Sequence, residues 1–414
     1  MVPKNKVIWL VNYYSMPPEL ESRLRTIKFA QYLAEKGYNV TVFGSSFIHN
    51  MDKNLINDNK PFIRRNYGSL NFVHIRTNHY KHNGFLRIYS LILFHLRLCY
   101  LKNKFEKPDV IIHVPASPFG NFFYLCAKKL KAKYIVDVLD LWPESFVAFG
   151  LINKSNPFLK IAYLFEKWLY SKSDNLIFSM EGGKDYIIDK KWDLGNGGPI
   201  DISKVSYINN GVDLKEFDYY KKNYRVEDED LQNDELFKVI YLGSIRHAND
   251  IKQLIDAAKI LKPYKKIVFI IYGDGDQRTF LENYCNENGV DNVRFKERWI
   301  DPKYVPYVLS KSSLNILNYR QNEIWKYGGS QSKLFQYLAS GKPICSNISM
   351  GYCLISKYKI GISRQLNADK EYADAIYSIF CLDQKDYNQM CTNARKLATE
   401  FDYKLLTDKL IELL

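Results

Sequence analysis

From residue 7 onward the chain alternates short, β-branched apolar runs with segments of helical spacing, and this alternation restricts the fold more than any other feature. Val7–Val11, Val40–Gly44, Asn71–Arg76, Asp109–Val114, Lys133–Leu139, Asn175–Ser179 and Val205–Ile208 read as strands. Arg23–Lys36, stopped by Gly37, reads as a helix, as do Phe85–Lys104 and Phe119–Leu130. Strands that are apolar from end to end, with no polar alternation, belong to parallel sheets covered on both faces by helices.

The pattern breaks at Asp213–Asp234, a polar stretch with four consecutive acidic residues at 227–230, which reads as an interdomain linker. It then restarts. Lys238–Leu242, Lys266–Tyr272, Val293–Lys296, Leu314–Leu317 and Pro343–Ser346 are strand-like, while Asp250–Leu261, Gln277–Asn288 and Lys333–Ser340 are helical. The expected fold class is α/β, with two doubly wound Rossmann-like domains in tandem. The expected boundaries are 1–212 for the first domain, 213–236 for the linker, 237–395 for the second domain and 396–414 for a final helix. A length of 414 residues agrees with two domains. In such sheets ligands bind beyond the carboxyl ends of the strands, and the cleft between two units is the natural active site.

Composition narrows the function classes. No apolar run reaches the roughly 18–20 residues that span a bilayer, and Val7–Val11 is too short for a signal peptide. The seven cysteines are scattered without CxxC or His/Cys metal spacing, so neither a disulfide framework nor a metal site is expected, and the expected compartment is the cytoplasm. The net charge of +14 is uneven. Residues 1–210 hold 29 Lys/Arg against 17 Asp/Glu, and residues 51–105 alone hold 10 against 2. An anionic partner of the first half follows, and an anionic membrane surface meeting residues 51–105 is the expected one. Nucleic acid is not expected, because aromatic residues are not interleaved with basic ones on exposed strands.

Several segments place chemistry at strand ends. Ser332 and Lys333 open a short helix that Gly341 and Pro343 close, so a hydroxyl, a cation and free backbone N–H groups meet at one point, which suits a phosphate. Gly243, Ser244 and Arg246 occupy a strand-to-helix turn where a diphosphate can approach, although an ordinary glycine turn reads the same way. Gly273, Asp274 and Gly275 end the next strand, either as a tight turn or as a nucleotide contact. In the first domain Asp140 and Glu144 bring two carboxylates to a strand end, where one can bind sugar hydroxyls or take a proton. Glu144 and Ser145 also suit the start of a helix opened by Pro143. His113 ends the preceding strand, where a lone histidine is either a substrate contact or simply structural. Phe85–Lys104 reads as a crossover helix or as a basic amphipathic helix on anionic lipid.

Taken together, Phe29–Val42, Asp140–Ser145, Asn210–Asp213, Gly273–Gly275 and Ser332–Pro343 resemble the retaining GT-B glycosyltransferases of family four, especially the WbuB-like, fucosamine-transferase-type members of surface-polysaccharide pathways. The resemblance covers nearly the whole chain. It implies a UDP- or GDP-sugar donor held by the second domain and a lipid-linked or oligosaccharide acceptor held by the first, for capsule or O-antigen synthesis. By it Ser332 and Lys333 meet the diphosphate, Gln336 lies near the ribose, Gly243 and Arg246 near the phosphates, and Asp140 near the transferred sugar. Arg23 and His113 fall on the acceptor side, and no metal or cofactor is expected. It also implies retention by front-face attack without an enzyme nucleophile, and a last helix that crosses back to the first domain.

The chain departs from the family pattern at several points. Two glutamates eight apart read Gly328 and Gln336; the phosphate-loop Arg and Lys read Ser244 and Asn249; the histidine before Asp140 reads Leu139; and the glycine-rich first loop reads Pro17–Arg23. These departures keep two other readings open, a catalytically weakened scaffold subunit and a GT-B nucleotide-sugar epimerase, the latter opposed by Asp140–Ser145.

Overall fold

The structure is a computed structural model that describes residues 6–20, 24–49, 51–81 and 84–414. The chain divides into two compact units. Unit 1 runs to Asn209 and resumes at Tyr403–Leu414, and unit 2 is Asn210–Asp402.

Unit 1 contains β1 (Val7–Asn12), β2 (Asn39–Ser45), β3 (Phe47–Ile48), β4 (Lys53–Asn54), β5 (Phe62–Tyr67), β6 (Leu70–Ile75), β7 (Val110–Val114), β8 (Lys133–Val138), β9 (Asn175–Phe178) and β10 (Val205–Tyr207). Among the described residues eight of these form one sheet, in the order β10-β9-β8-β7-β1-β2-β6-β5. Every neighbouring pair is parallel except β5 with β6. The central β1 is buried at all six residues, which is why it reads as unbroken apolar sequence. The hairpin strand β5 was not expected. Its Arg64, Arg65 and Asn66 are exposed, and charge on an outer strand blocks further strand addition while hiding the strand's pattern.

The helices of unit 1 are α1 (Arg25–Glu35), α2 (Phe85–Leu101), α3 (Phe123–Leu130), α4 (Glu144–Ala148), α5 (Pro157–Lys172) and α6 (Gly183–Asp189). Unit 2 carries α7 (Leu214–Asn223), α8 (Glu229–Gln232), α9 (Ile251–Leu261), α10 (Arg278–Glu287), α11 (Val305–Ser310), α12 (Ser332–Ser340), α13 (Leu354–Lys357), α14 (Asp369–Phe380) and α15 (Gln384–Glu400). Its sheet is β11 (Phe237–Leu242), β12 (Ile267–Tyr272), β13 (Val293–Phe295), β14 (Leu314–Leu317), β15 (Ile344–Ser346) and β16 (Gly361–Ser363). The order is β13-β12-β11-β14-β15-β16, parallel throughout.

The last helix, α16 (Tyr403–Ile411), belongs to unit 1, where Tyr403, Leu406 and Leu410 join Ile27, Phe29 and Leu33 of α1 in one core. The 213–236 stretch is not a free linker, because it folds as α7 and α8 within unit 2. Its acidic residues are caps and ion pairs. Asp213 accepts from the Glu216 N–H and Asp228 from the Asp230 and Leu231 N–H groups, while Asp228 and Asp230 each lie 2.7 Å from the Lys296 ammonium. Leu231 is fully buried beneath them.

Candidate functional site

In unit 2, three of the segments singled out from sequence meet at the carboxyl end of the sheet. β11 and β12 run in register, so their following turns lie side by side. The Gly243 N–H donates to the Tyr272 carbonyl at 3.1 Å, and the Ile245 N–H donates to the Asp274 carbonyl at 2.9 Å. Gly243 (φ +150°) and Gly273 (φ +125°) occupy backbone conformations that side chains rarely adopt. A Cβ on Gly273 would stand 1.9 Å from the Gly243 carbonyl oxygen, and one on Gly243 would stand 2.5 Å from the Lys333 ammonium. Glycine at both positions therefore lets the two turns and Lys333 converge.

Lys333 is the second residue of α12. Leu334, Phe335, Tyr337, Leu338 and Ala339 bury one side of this helix, and Gly341 ends it in the left-handed conformation. No side chain caps its start; the Leu334 N–H donates to the Gln331 carbonyl at 3.0 Å, and Ser332 and Lys333 precede it in the first turn, where an anion is favoured. The Lys333 Nζ donates to the Tyr241 hydroxyl at 3.2 Å and lies 4.4 Å from the centre of that ring and 5.6 Å from the centre of Tyr319. No carboxylate pairs with it among the described residues. Burial without a counter-charge lowers its pKa from the lysine range to about 7. Ser332, Gln336 and Gly243 are partly exposed around it, and Ser244 and Arg246 are exposed on the first turn. Asn249 is buried, and its main-chain carbonyl accepts from the Asn318 side-chain amide at 3.0 Å.

Asp274 is an exposed residue of the second turn. Its carboxylate accepts from the Gly275 N–H and the Arg298 guanidinium, and these bonds hold its pKa below the usual range. Gly275 supports the same turn, a Cβ there being 2.2 Å from the Ile245 carbonyl oxygen.

In unit 1, a cavity of about 420 Å³ opens at the carboxyl ends of β1, β7 and β8, lined by Asn12, Arg25, Arg87, Leu139, Asp140 and Trp142 among others. Asp140 is exposed at its wall. Arg25 is 3% exposed and forms a two-pronged bond to Asp137 at 2.9 and 2.7 Å, with a third bond to the Asn209 carbonyl at 2.7 Å. Arg87 donates to the Tyr14 hydroxyl at 3.0 Å. Sequence reasoning missed both arginines, and nothing in the local pattern distinguishes them from other basic residues. Tyr241 offered a faint signal as the one polar-tipped side chain in the otherwise aliphatic run Val239–Leu242.

Two of the site residues expected from the sequence do not belong to this cavity. Glu144 accepts from the Tyr163 hydroxyl and pairs with Lys190. Burial would raise its pKa, but the bonds from Lys190 and Tyr163 outweigh that and hold it below the usual value. His113 is wholly buried, with Nε2 3.1 Å from His95 Nε2 and Nδ1 2.6 Å from the Tyr134 hydroxyl. Burial first, then the neighbouring His95, push its pKa well down, and no acceptor reaches it. Arg23, also expected on the acceptor side, lies outside the described residues. Among the described residues no three His, Cys, Asp or Glu side chains stand together as metal ligands, and no helix is long and apolar enough to cross a membrane.

Residues 225–397 match the family model "Glycosyl transferases group 1". No curated protein matches the chain. Solved structures match over almost the full length of both chains. Sucrose-phosphate synthase from Thermosynechococcus elongatus aligns with a TM-score of 0.72 at 15% identity, over 99% of this chain and 98% of that one. The trehalose-6-phosphate protein from E. coli bound with UDP-2-fluoro glucose aligns with a TM-score of 0.73 at 12% identity, over 98% of each chain. WaaG, a glycosyltransferase involved in lipopolysaccharide biosynthesis, aligns with a TM-score of 0.66 at 14% identity, over 98% of this chain and 99% of that one. The protein therefore has the two-domain GT-B fold, and the greater part of its second unit matches the glycosyl transferases group 1 model.

Proposed function

We propose that the protein is a glycosyltransferase that moves a sugar from a UDP- or GDP-sugar to a lipid-linked glycan acceptor in capsule or O-antigen synthesis, with retention of configuration. The observation that carries this reading is the partly buried Lys333 ammonium, with no carboxylate partner among the described residues, beside Gly243 at the uncapped start of α12, inside the segment that the family model matches. A departing nucleoside diphosphate develops negative charge, and a fixed cation and a helix N-terminus stabilise it with little reorganisation. The reading assigns that task to Lys333, Ser332 and Arg246 rather than to a metal ion, and ribose binding to Gln336. A neutral amide at Gln336 still offers both a donor and an acceptor to ribose hydroxyls. Support for UDP comes from the E. coli neighbour bound with UDP-2-fluoro glucose.

The acceptor belongs in the unit 1 cavity, with Asp140 beside the transferred sugar. In front-face retention the acceptor hydroxyl bonds to the anomeric carbon as the carbon–oxygen bond to the diphosphate breaks, and the hydroxyl proton passes to the departing phosphate oxygen. The basic 51–105 region holds the protein at the anionic inner face of the cell membrane in this scheme. Thermal-shift measurements on the purified protein with a panel of UDP- and GDP-sugars test the reading. A rise in Tm with at least one nucleotide sugar is expected, and the absence of any rise would sink the enzyme reading in favour of a scaffold role. Charge reversal across residues 51–105 should abolish binding to anionic liposomes.

A further inference from the structure

A second cavity in unit 1, of about 370 Å³, lies between α2 and α5 beside the polar one. Its walls are mainly hydrocarbon, with Ile88 and Leu91 from α2 and Leu159 and Ala162 from α5. Arg87, Ala116, Trp142 and Phe146 line both cavities, so the apolar slot and the polar pocket share one partition. Of the slot's lining residues Phe119 and Phe158 are 40% and 76% exposed, and Phe85, which follows the lining residue Gly84, is 78% exposed. Large apolar side chains left in water around a slot mark a surface that another apolar molecule covers.

Charge indicates which molecule. α2 has no acidic residue, and the only one on α5, Glu166, is buried and accepts from Tyr186. Lys160 and Lys172 of α5 are therefore exposed with no carboxylate of their own helix turned to water, while Arg87 and Arg97 of α2 are partly exposed. Arg87 stands at the partition, a fixed cation between a polar pocket and an apolar slot. A ligand matching this sequence of environments has a polar head, then an anion, then a long hydrocarbon chain.

We propose that the slot between α2 and α5 binds the hydrocarbon chain of a lipid-phosphate acceptor, with the phosphate at Arg87 and the glycan in the adjoining polar cavity. The proposal rests on the acceptor reading of that cavity. Each methylene moved from water into an apolar site contributes roughly a fourfold gain in affinity.

Titration calorimetry of the full chain with butyl phosphate and decyl phosphate, both below their micelle concentrations, tests it. Decyl phosphate should bind at least about tenfold more tightly than butyl phosphate. Ala162→Trp, which fills the slot, and Ile88→Gln, which makes it polar, should each erase that difference while leaving UDP-induced stabilisation intact as a check on folding. Equal affinities for the two phosphates overturn the proposal, as does persistence of the chain-length gain in both variants. Binding to phosphatidylglycerol vesicles without decyl phosphate binding overturns it too, in favour of a surface that meets only the bilayer. A chain-length gain with no nucleotide binding would keep the slot and remove the glycosyltransferase reading instead.

Discussion

Lys333 reaches the end of the unit 2 sheet with its ammonium against two tyrosine rings and no carboxylate partner among the described residues. Such a group is poised to gain a counter-ion. Lys333→Ala should weaken UDP binding by about 1.5–3 kcal/mol, the usual worth of a hydrogen bond to a charged group. A bound diphosphate favours the charged lysine, so its pKa rises from about 7 on binding. Below pH 7 the lysine is already charged and affinity is flat. As pH rises above 7 the free protein loses that proton and must regain it to bind, so UDP affinity should fall by up to about tenfold per pH unit. Calorimetry in buffers of different ionisation enthalpy should register the proton uptake, and Lys333→Ala should abolish it. The neighbouring glycines separate into two roles. Gly273→Ala sets a methyl group against backbone and should cost stability, with about 1–3 kcal/mol from the backbone conformation alone. Gly243→Ala carries the same backbone cost but meets the movable tip of Lys333 rather than backbone, so it should also displace that cation and lower nucleotide affinity.

At the scale of elements, acidic residues hold the 213–236 segment against unit 2. Asp228→Ala removes both the α8 cap and one partner of Lys296, and should lower stability by about 1–2 kcal/mol in a denaturant titration. Glu144→Gln should reduce stability by about 1–3 kcal/mol, because the Lys190 and Tyr163 bonds weaken, yet leave turnover unchanged. Asp140→Asn should do the reverse. These cases also show what sequence can reveal. Buried parallel strands such as β1 and β12 announce themselves, because both faces demand apolar residues. The outer strand β5 does not, since water accepts Arg64 and Arg65 on it. Four acidic residues in a row read as linker because their pairing depends on Lys296 and Arg294, both distant in the sequence. His113 and Glu144 were legible as polar residues at strand ends. Their engagement by His95, Tyr134, Lys190 and Tyr163 is tertiary and leaves no local trace. The glycine turns and the start of α12 were legible, because positive φ and helix punctuation are local demands.

On the scale of the whole molecule, unit 1 is assembled from two stretches of chain, with α16 contributing Tyr403, Leu406 and Leu410 to the core around α1. Leu406→Ala should cost about 2–5 kcal/mol, seen as a lower Tm of the transition that UDP does not shift. The consequence reaches into biosynthesis. Unit 2 is a single contiguous stretch, whereas unit 1 stays incomplete, its α1 face uncovered, in any chain that lacks α16. The half of the protein made first is thus the half completed last, so a chain truncated before α16 presents an intact unit 2 joined to an open, aggregation-prone unit 1.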